Sequence, residues 1–332
     1  MGRDHKLVTF GEAMIRFSTK DHERLEQAQV LDVHVGGSEL NVAVAAAHLG
    51  LSSSFVTRLT RGPLGRRIEI EARKHGVDTS NILWTDDDRV GTYYLEPGAS
   101  PRANAVVYDR RHTAISQIRP GDVDWGKVLS GAEVLHTSGI TPALSVSAAE
   151  ATLEAVRAAA GAGLMVSVDL NYRARLWSEA DARTVMTEVV KASDVLITTE
   201  EDTQRVFGIE GSSFEEVARE LAKRFDLKAV AITLRETPSV WRNQWSAIAL
   251  DGSTGEIHRG PTYDIEVVDR VGSGDSFAGG FLYGLLEGDI ETAVRYGVAI
   301  SAIKQTLPGD VVYTTKDEVE RTLEGGGLRI VR

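Results

Sequence analysis

Residues 267–284 read VVDRVGSGDSFAGGFLYG, a passage from strand chemistry to helix chemistry through glycine. Ile265, Val267 and Val268 are β-branched, Gly272 to Gly274 make a flexible turn, and Phe277, Phe281 and Leu285 then recur every fourth residue. The spacing predicts a strand that feeds a helix opening at Asp275. The first turn of such a helix leaves backbone N–H groups without intrahelical partners, and that end attracts anions. A carboxylate beside them would repel a bound phosphate, unless it serves as the base that deprotonates an attacking hydroxyl while the amides of Gly272, Ser273 and Gly274 stabilise a phosphoryl group in transfer. The plainer alternative makes Asp275 a helix N-cap.

Composition narrows the class. The chain has 332 residues, 42% of them hydrophobic, enough for one large α/β domain with an appendage. It has no cysteine, so disulfides and thiolate metal sites are excluded, in keeping with a cytoplasmic setting. A net charge of −11, from 37 basic and 48 acidic side chains, argues against a nucleic-acid partner. No apolar run is long enough for a signal peptide or a membrane span, and Lys6 stands where a myristoylation signal needs Ser or Thr.

Outward from the glycine turn, short apolar runs at 7–10, 54–59, 134–137, 164–170, 195–198 and 229–234 alternate with helical patterns at 61–77, 145–160, 179–192 and 213–225. That rhythm predicts a doubly wound, largely parallel sheet with helices on both faces and ligands beyond the C-terminal strand ends. Helices are also expected at 290–304 and 315–323, the latter before a glycine-rich tail, and residues 81–89 read as a polar surface connection. Runs at 14–17, 30–35, 91–96 and 104–108 fall outside the rhythm and suggest a small sheet over the site. Tyr93, Tyr108 and Arg110, read as exposed tyrosines and an arginine converging there, suit a hydroxylated, anionic small molecule; the alternative is a cross-strand tyrosine pair with a solvated arginine. In GGSELNVAVAAAHLG, residues 36–50, Ser38 is a cap candidate and Asn41 falls in the first helical turn.

VDRVGSGDSFAGG resembles the C-terminal signature of the ribokinase-like, or PfkB, family of sugar kinases, and the chain is most similar to its 2-keto-3-deoxygluconate kinase branch. The resemblance implies a ribokinase-like α/β fold over residues 1–332, with a small β-sheet lid from about 14–35 and 91–110. It implies Asp275 as catalytic base and Gly272, Ser273 and Gly274 as anion hole. Gly36, Gly37 and Asn41 resemble the motif that lines the sugar. GTYYLEPG, VVYDRR and DLNYR resemble segments that hold ketodeoxygluconate, which brings in Tyr93, Tyr108, Arg110 and Arg173; Arg173 alternatively pairs with Asp169 or Glu179. Thr199, Thr233 and Arg235, with Gly272 and Gly274, resemble the ATP-binding positions. Where the family usually has Asn-x-x-Glu, this chain has Thr199 and Asp202, so Asp202 is a candidate for magnesium through water. KQTLPGD, residues 304–310, resembles the branch's ending.

The implied activity is ATP-dependent phosphorylation of 2-keto-3-deoxygluconate at C6, with ATP and Mg2+ as cofactors and a monovalent cation such as K+ near Asp269 left open. A homodimer or larger homo-oligomer is expected if the lid has an apolar outer face. Three rivals differ in what they require. A neutral-sugar kinase needs no pair of arginines. A nicotinamide oxidoreductase needs G-x-G-x-x-G after the first strand, where Gly11-Glu12-Ala13 stands instead. A non-catalytic sugar or nucleotide sensor needs no intact Gly-Ser-Gly-Asp.

Overall fold

The computed structural model of the protein describes residues 5–239 and 241–325, so most of the glycine-rich tail and the first four residues lie outside it. Strands are β1 (Leu7–Phe10), β2 (Met14–Ser18), β3 (Asp32–Gly36), β4 (Ser53–Thr60), β5 (Ile82–Thr85), β6 (Gly91–Glu96), β7 (Ala105–Asp109), β8 (Val134–Ser138), β9 (Met165–Asp169), β10 (Val195–Thr198), β11 (Ala229–Ser239), β12 (Arg242–Asp251), β13 (Ile257–Arg259) and β14 (Tyr263–Glu266). Helices are α1 (Ser38–His48), α2 (Pro63–Lys74), α3 (Trp125–Val128), α4 (Val146–Gly161), α5 (Glu179–Lys191), α6 (Glu200–Phe207), α7 (Phe214–Phe225), α8 (Ser273–Glu287), α9 (Ile290–Gln305) and α10 (Lys316–Leu323).

Ten strands form one sheet in the order β13-β12-β11-β10-β9-β8-β1-β4-β5, with β14 also on β12. The ladders from β11 across to β5 are parallel, while β12 runs antiparallel to β11, β13 and β14. This is the doubly wound α/β arrangement that the βα rhythm predicts. Period-two alternation divides the strands between two cores: Leu196 packs with α4, α5 and α7 on one face, and its neighbours Val195 and Ile197 pack with α1, α8 and α9 on the other. The parallel strands all end at the same edge, so Glu12, Ser138, Asp169 and Thr199 emerge together there.

The second sheet has four strands in the order β3-β2-β6-β7. Its inner side chains, Ile15 and Val35, join Leu40, Val44, Phe55 and Ile68 in a third core that seats it on the larger body.

Three local expectations are corrected. Residues 82–85, read as part of a surface connection, are the edge strand β5, because Ile82, Leu83 and Trp84 pair with β4 and only the acidic run after them is loop. Helix α8 opens at Ser273, two residues before Asp275, since glycine is tolerated in a first turn whose amides need no carbonyl partner. Ser38 caps nothing: Gly37 is the N-cap of α1, with no side-chain cap bond. Among the described residues no helix is long and apolar enough to cross a membrane.

Helix α8 is pressed between α1 and α9. A Cβ on Gly279 would lie 2.6 Å from Ala45 Cβ and 2.7 Å from the Val42 carbonyl oxygen. Backbone lies against backbone there, so a side chain has no room. Gly279→Val should therefore separate α1 from α8 and cost about 1–3 kcal/mol of overpacking. Urea denaturation of the variant and the parent measures this, and an unchanged midpoint would show that the contact is slack.

Candidate active site

The turn before α8 is fixed by close packing. Gly272, the N-cap, has φ 81°, the left-handed region that favours glycine, and a Cβ there would sit 1.8 Å from the Asp310 carbonyl oxygen. No side chain caps this helix. The Ser273 amide donates to the Arg270 carbonyl at 3.2 Å, whereas the amides of Gly274 and Asp275 have no backbone acceptor among the described residues. These last two are the donors the helix turns toward the cleft.

Asp275 lies in the first turn of α8 and is held by the facing first turn of α1. Ser38 Oγ donates to its Oδ1 at 2.8 Å and Asn41 Nδ2 to its Oδ2 at 2.7 Å. Behind them Asn171, in the left-handed region at φ 37°, donates from Nδ2 to Ser38 Oγ at 3.1 Å. Burial pushes the Asp275 carboxyl above the ordinary aspartate range, opposed by these two hydrogen bonds and by the Arg173 guanidinium. Asp169 is pushed up further by burial and by the charges of Asp275 and Asp202. Glu39, fully buried on α1 and bonded by Ser138 and Thr141, rises to about 7 through burial.

The two arginines differ. Arg110 is buried, ion-paired with Glu12 and stacked 5.2 Å over the ring of Tyr108. Arg173 is exposed to the cleft, donates to the Tyr172 carbonyl at 3.1 Å and forms no salt bridge among the described residues, so neither the Asp169 nor the Glu179 pairing is made. The tyrosines differ too. Tyr108 is exposed as expected, but Tyr93, directly across the ladder, is buried and donates its hydroxyl to Asp310 Oδ1.

Asp310 had no role in the sequence reading. Its Oδ2 accepts from Arg16 Nη1 at 2.6 Å, Arg16 Nη2 pairs with Asp269, and its side chain fills the place a Cβ on Gly36 would need. Burial raises the Asp310 carboxyl, which Arg16 opposes. The only signal for this hub in the sequence is its place in KQTLPGD.

On the other side of Asp275, Thr199 is the N-cap of α6 and accepts from the Asp202 amide at 3.1 Å. Asp202 is half-buried, and burial raises its carboxyl against the pull of Arg173. Thr233 and the exposed Arg235 stand on β11. No cluster of three or more His, Cys, Asp or Glu able to cage a metal occurs among the described residues. Asp275, the glycine turn, Gly36, Gly37, Asn41, both tyrosines, both arginines, Thr199, Asp202, Thr233 and Arg235 all line a single cleft of about 620 Å³. Glu12, Ser38, Asn171 and Asp310, outside the residues expected to bind, line it as well.

A cleft at the C-terminal edge of a doubly wound sheet, with a carboxylate in the first turn of a glycine-led helix and a small sheet at its mouth, is the architecture of a sugar kinase. The profile of the pfkB family of carbohydrate kinases matches residues 4–314, and the chain belongs to that family. A 2-dehydro-3-deoxygalactonokinase of Haloferax volcanii is 42% identical over 328 residues, 98% of this chain and 99% of its own. A 5-dehydro-2-deoxygluconokinase of Shouchella clausii is 32% identical over 311 residues, 91% of this chain and 90% of its own. The crystal structure of a 2-dehydro-3-deoxygluconokinase from Thermotoga maritima superimposes with a TM-score of 0.93 at 42% identity, covering 97% of this chain and 100% of that one.

Removing Arg16 would strand the buried Asp310 carboxylate and the half-buried Asp269. Arg16→Met should lower stability by about 3–5 kcal/mol, the usual result of taking one partner from a buried ion pair. Chemical denaturation followed by tryptophan fluorescence measures it, and a loss below about 1 kcal/mol, the range of an exposed pair, would mean that water reaches the cluster.

Proposed function

We propose that the chain transfers the γ-phosphoryl group of ATP to the primary C6 hydroxyl of a 2-keto-3-deoxy sugar acid, with 2-keto-3-deoxygluconate as the first candidate. The observation that carries this is the Asp275 carboxylate, aimed by Ser38 and Asn41 into the cleft that also holds the unpaired Arg173. Asp275 takes the hydroxyl proton as the new O–P bond forms and the bond to the β-phosphate oxygen breaks, releasing ADP. The free amides at the start of α8, with Gly272 and Gly274 allowing close approach, stabilise the charge on the phosphoryl oxygens.

Arg173 meets the substrate carboxylate. Arg110, already balanced by Glu12, adds directed N–H donors rather than net charge. Gly36, Gly37, Asn41, Tyr93 and Tyr108 line the sugar side, and the four-stranded sheet acts as a lid on one kinase domain spanning the chain. The lid keeps water from competing for the phosphoryl group. Thr199, Thr233 and Arg235 line the nucleotide side.

The donor set there suits a magnesium ion held mainly by phosphates. Asp202 and Asp169 offer hard oxygen donors whose charges repel each other, and they would hold the ion through its waters. Magnesium, when bound, offsets phosphate charge.

The relative named for the galactonate-derived substrate is as similar as the one named for the gluconate-derived one, so both epimers belong in the assay. Purified protein in a coupled ADP-release assay is expected to prefer 2-keto-3-deoxy sugar acids over fructose and ribose. A preference for a neutral sugar would remove the acid-specific reading. Asp275→Asn should lower kcat by about 10²- to 10⁴-fold with substrate binding retained. Turnover close to wild type in that variant would remove Asp275 as the base.

The pH profile tests the same carboxylate. A base works deprotonated, so kcat should fall as pH drops through the raised pKa of Asp275. Ser38→Ala removes a hydrogen bond that favours the charged form, so its acid limb should shift to higher pH. A shift to lower pH would show that another group titrates there.

A further inference from the structure

Lys304, the last lysine of α9, is fully buried, which is rare for a lysine and usually signals a specific use. Its ammonium donates to two backbone carbonyls, Asp269 and Leu307, each at 3.2 Å. Asp269 opens the loop that leads into Gly272, and Leu307 begins the turn that ends at Asp310. One further bond joins the same two segments, and two more tie the start of the first to the end of α9. The amides of Val268 and Asp269 donate to the Gln305 carbonyl at 2.8 and 3.1 Å, and the Gly309 amide donates to Asp269 Oδ2 at 3.1 Å.

Lys304 and Arg16 stand against Asp269 and Asp310, and the charge of Asp275 also reaches the ammonium. Burial lowers the Lys304 ammonium to about 8, and the two aspartates oppose that fall. One of these carbonyls, Leu307, lies in the turn that ends α9, and the other belongs to the distant loop before α8, so the amine ties the end of the helix to that loop. A compact cation bonded to two backbone carbonyls reproduces part of the coordination that a bound alkali ion would receive.

We propose that Lys304 is a positioning residue, a built-in monovalent cation that locks the loop from Asp269 to Gly272 onto the segment ending at Asp310, and so sets the amides at the start of α8 for phosphoryl transfer. The proposal rests on the phosphoryl-transfer reading of that helix end. It implies a reaction that runs without added K+, because the ammonium already occupies the carbonyl pocket. It also implies that loss of Lys304 acts on kcat, since the sugar-facing residues stand on other elements.

The test has two arms. Wild-type enzyme is assayed in sodium, potassium and tetramethylammonium chloride at equal ionic strength, and the rates should agree within about twofold, as expected for an equal general screening effect. A strong requirement for potassium would overturn the proposal. Lys304→Ala is then assayed with and without n-propylammonium or ammonium ion, with Lys304→Met as the isosteric variant should the alanine variant fail to fold. The expected result is a fall in kcat of about 10- to 100-fold, the effect of a misplaced reacting group, with little change in KM for the sugar acid. Partial recovery is expected with the small ammonium ions but not with tetramethylammonium. A folded variant with unchanged kcat, or one that no cation restores, would reduce Lys304 to a structural lysine. Asp275→Asn, run beside it, separates the two ideas: if that variant is inactive while Lys304 variants keep full kcat, the kinase reading stands and only this proposal fails.

Discussion

Asp310 is where the small sheet meets the start of α8. Its carbonyl oxygen packs on Gly272, while its carboxylate accepts from Arg16 on β2 and Tyr93 on β6 and fills the space beside Gly36 on β3. One residue thus fixes the small sheet and the glycine turn before α8 relative to each other. The arrangement requires glycine on both sides, because a Cβ at position 36 would lie 1.7 Å from Asp310 Oδ1 and one at position 272 would meet its backbone. It also requires Arg16, because a carboxylate buried without a partner would shift toward its neutral form and release its donors.

The cleft gathers acids, an arrangement at odds with the anionic nucleotide proposed to bind there. The carboxyl groups of Asp169, Asp202, Asp275 and Asp310 are all pushed upward by burial, and several raise one another. For the base role proposed for Asp275 the direction is useful, since a carboxylate whose pKa has moved upward accepts a proton more readily than an ordinary aspartate. Ser38 and Asn41 oppose the rise by bonding the charged form. Arg173 works the same way, lowering Asp275, Asp202 and Asp169 together from a position where it remains unpaired. On the proposed reading, a substrate carboxylate drawn to Arg173 would weaken that pull and so raise the basicity of Asp275.

Most of the layered fold was legible in the sequence, because its signals are local. Alternating short apolar runs and helical periods specify a parallel sheet, and the Gly-Ser-Gly turn marks the helix that faces the cleft. What escaped is long-range or buried. Arg16 and Asp310 are 294 positions apart, and nothing in either neighbourhood announces the other. Lys304 reads in sequence like any helix-terminal lysine, and only the packed structure shows that its amine points inward. Tyr93 looked exposed because period two cannot say which face of a two-layered strand is covered. The strand β5 was hidden by the acidic residues that follow it, although Ile82, Leu83 and Trp84 carry the strand signal themselves. Ser38 was legible as a hydroxyl at a helix start but not as a donor to a carboxylate on another helix.

The contacts at Asp310 constrain how the small sheet can move. A rigid-body displacement away from the cleft must either break the bonds from Arg16 and Tyr93 or carry residues 309 and 310 with it. The first course leaves buried charges unpaired, at a cost of several kcal/mol. The second disturbs Gly272, because the Asp310 backbone rests on it, and disturbs Asp269, which accepts from the Gly309 amide. The base of the small sheet therefore belongs mechanically to the turn before α8, and the exposed outer strand β7, which carries Tyr108, is the part free of these ties. Strand β7 is tied instead by Arg89 to Asp109 and by Arg175 to the Val106 carbonyl, and a displacement confined to it would leave Asp275 in place, because Ser38 and Asn41, which hold that carboxylate, stand on α1.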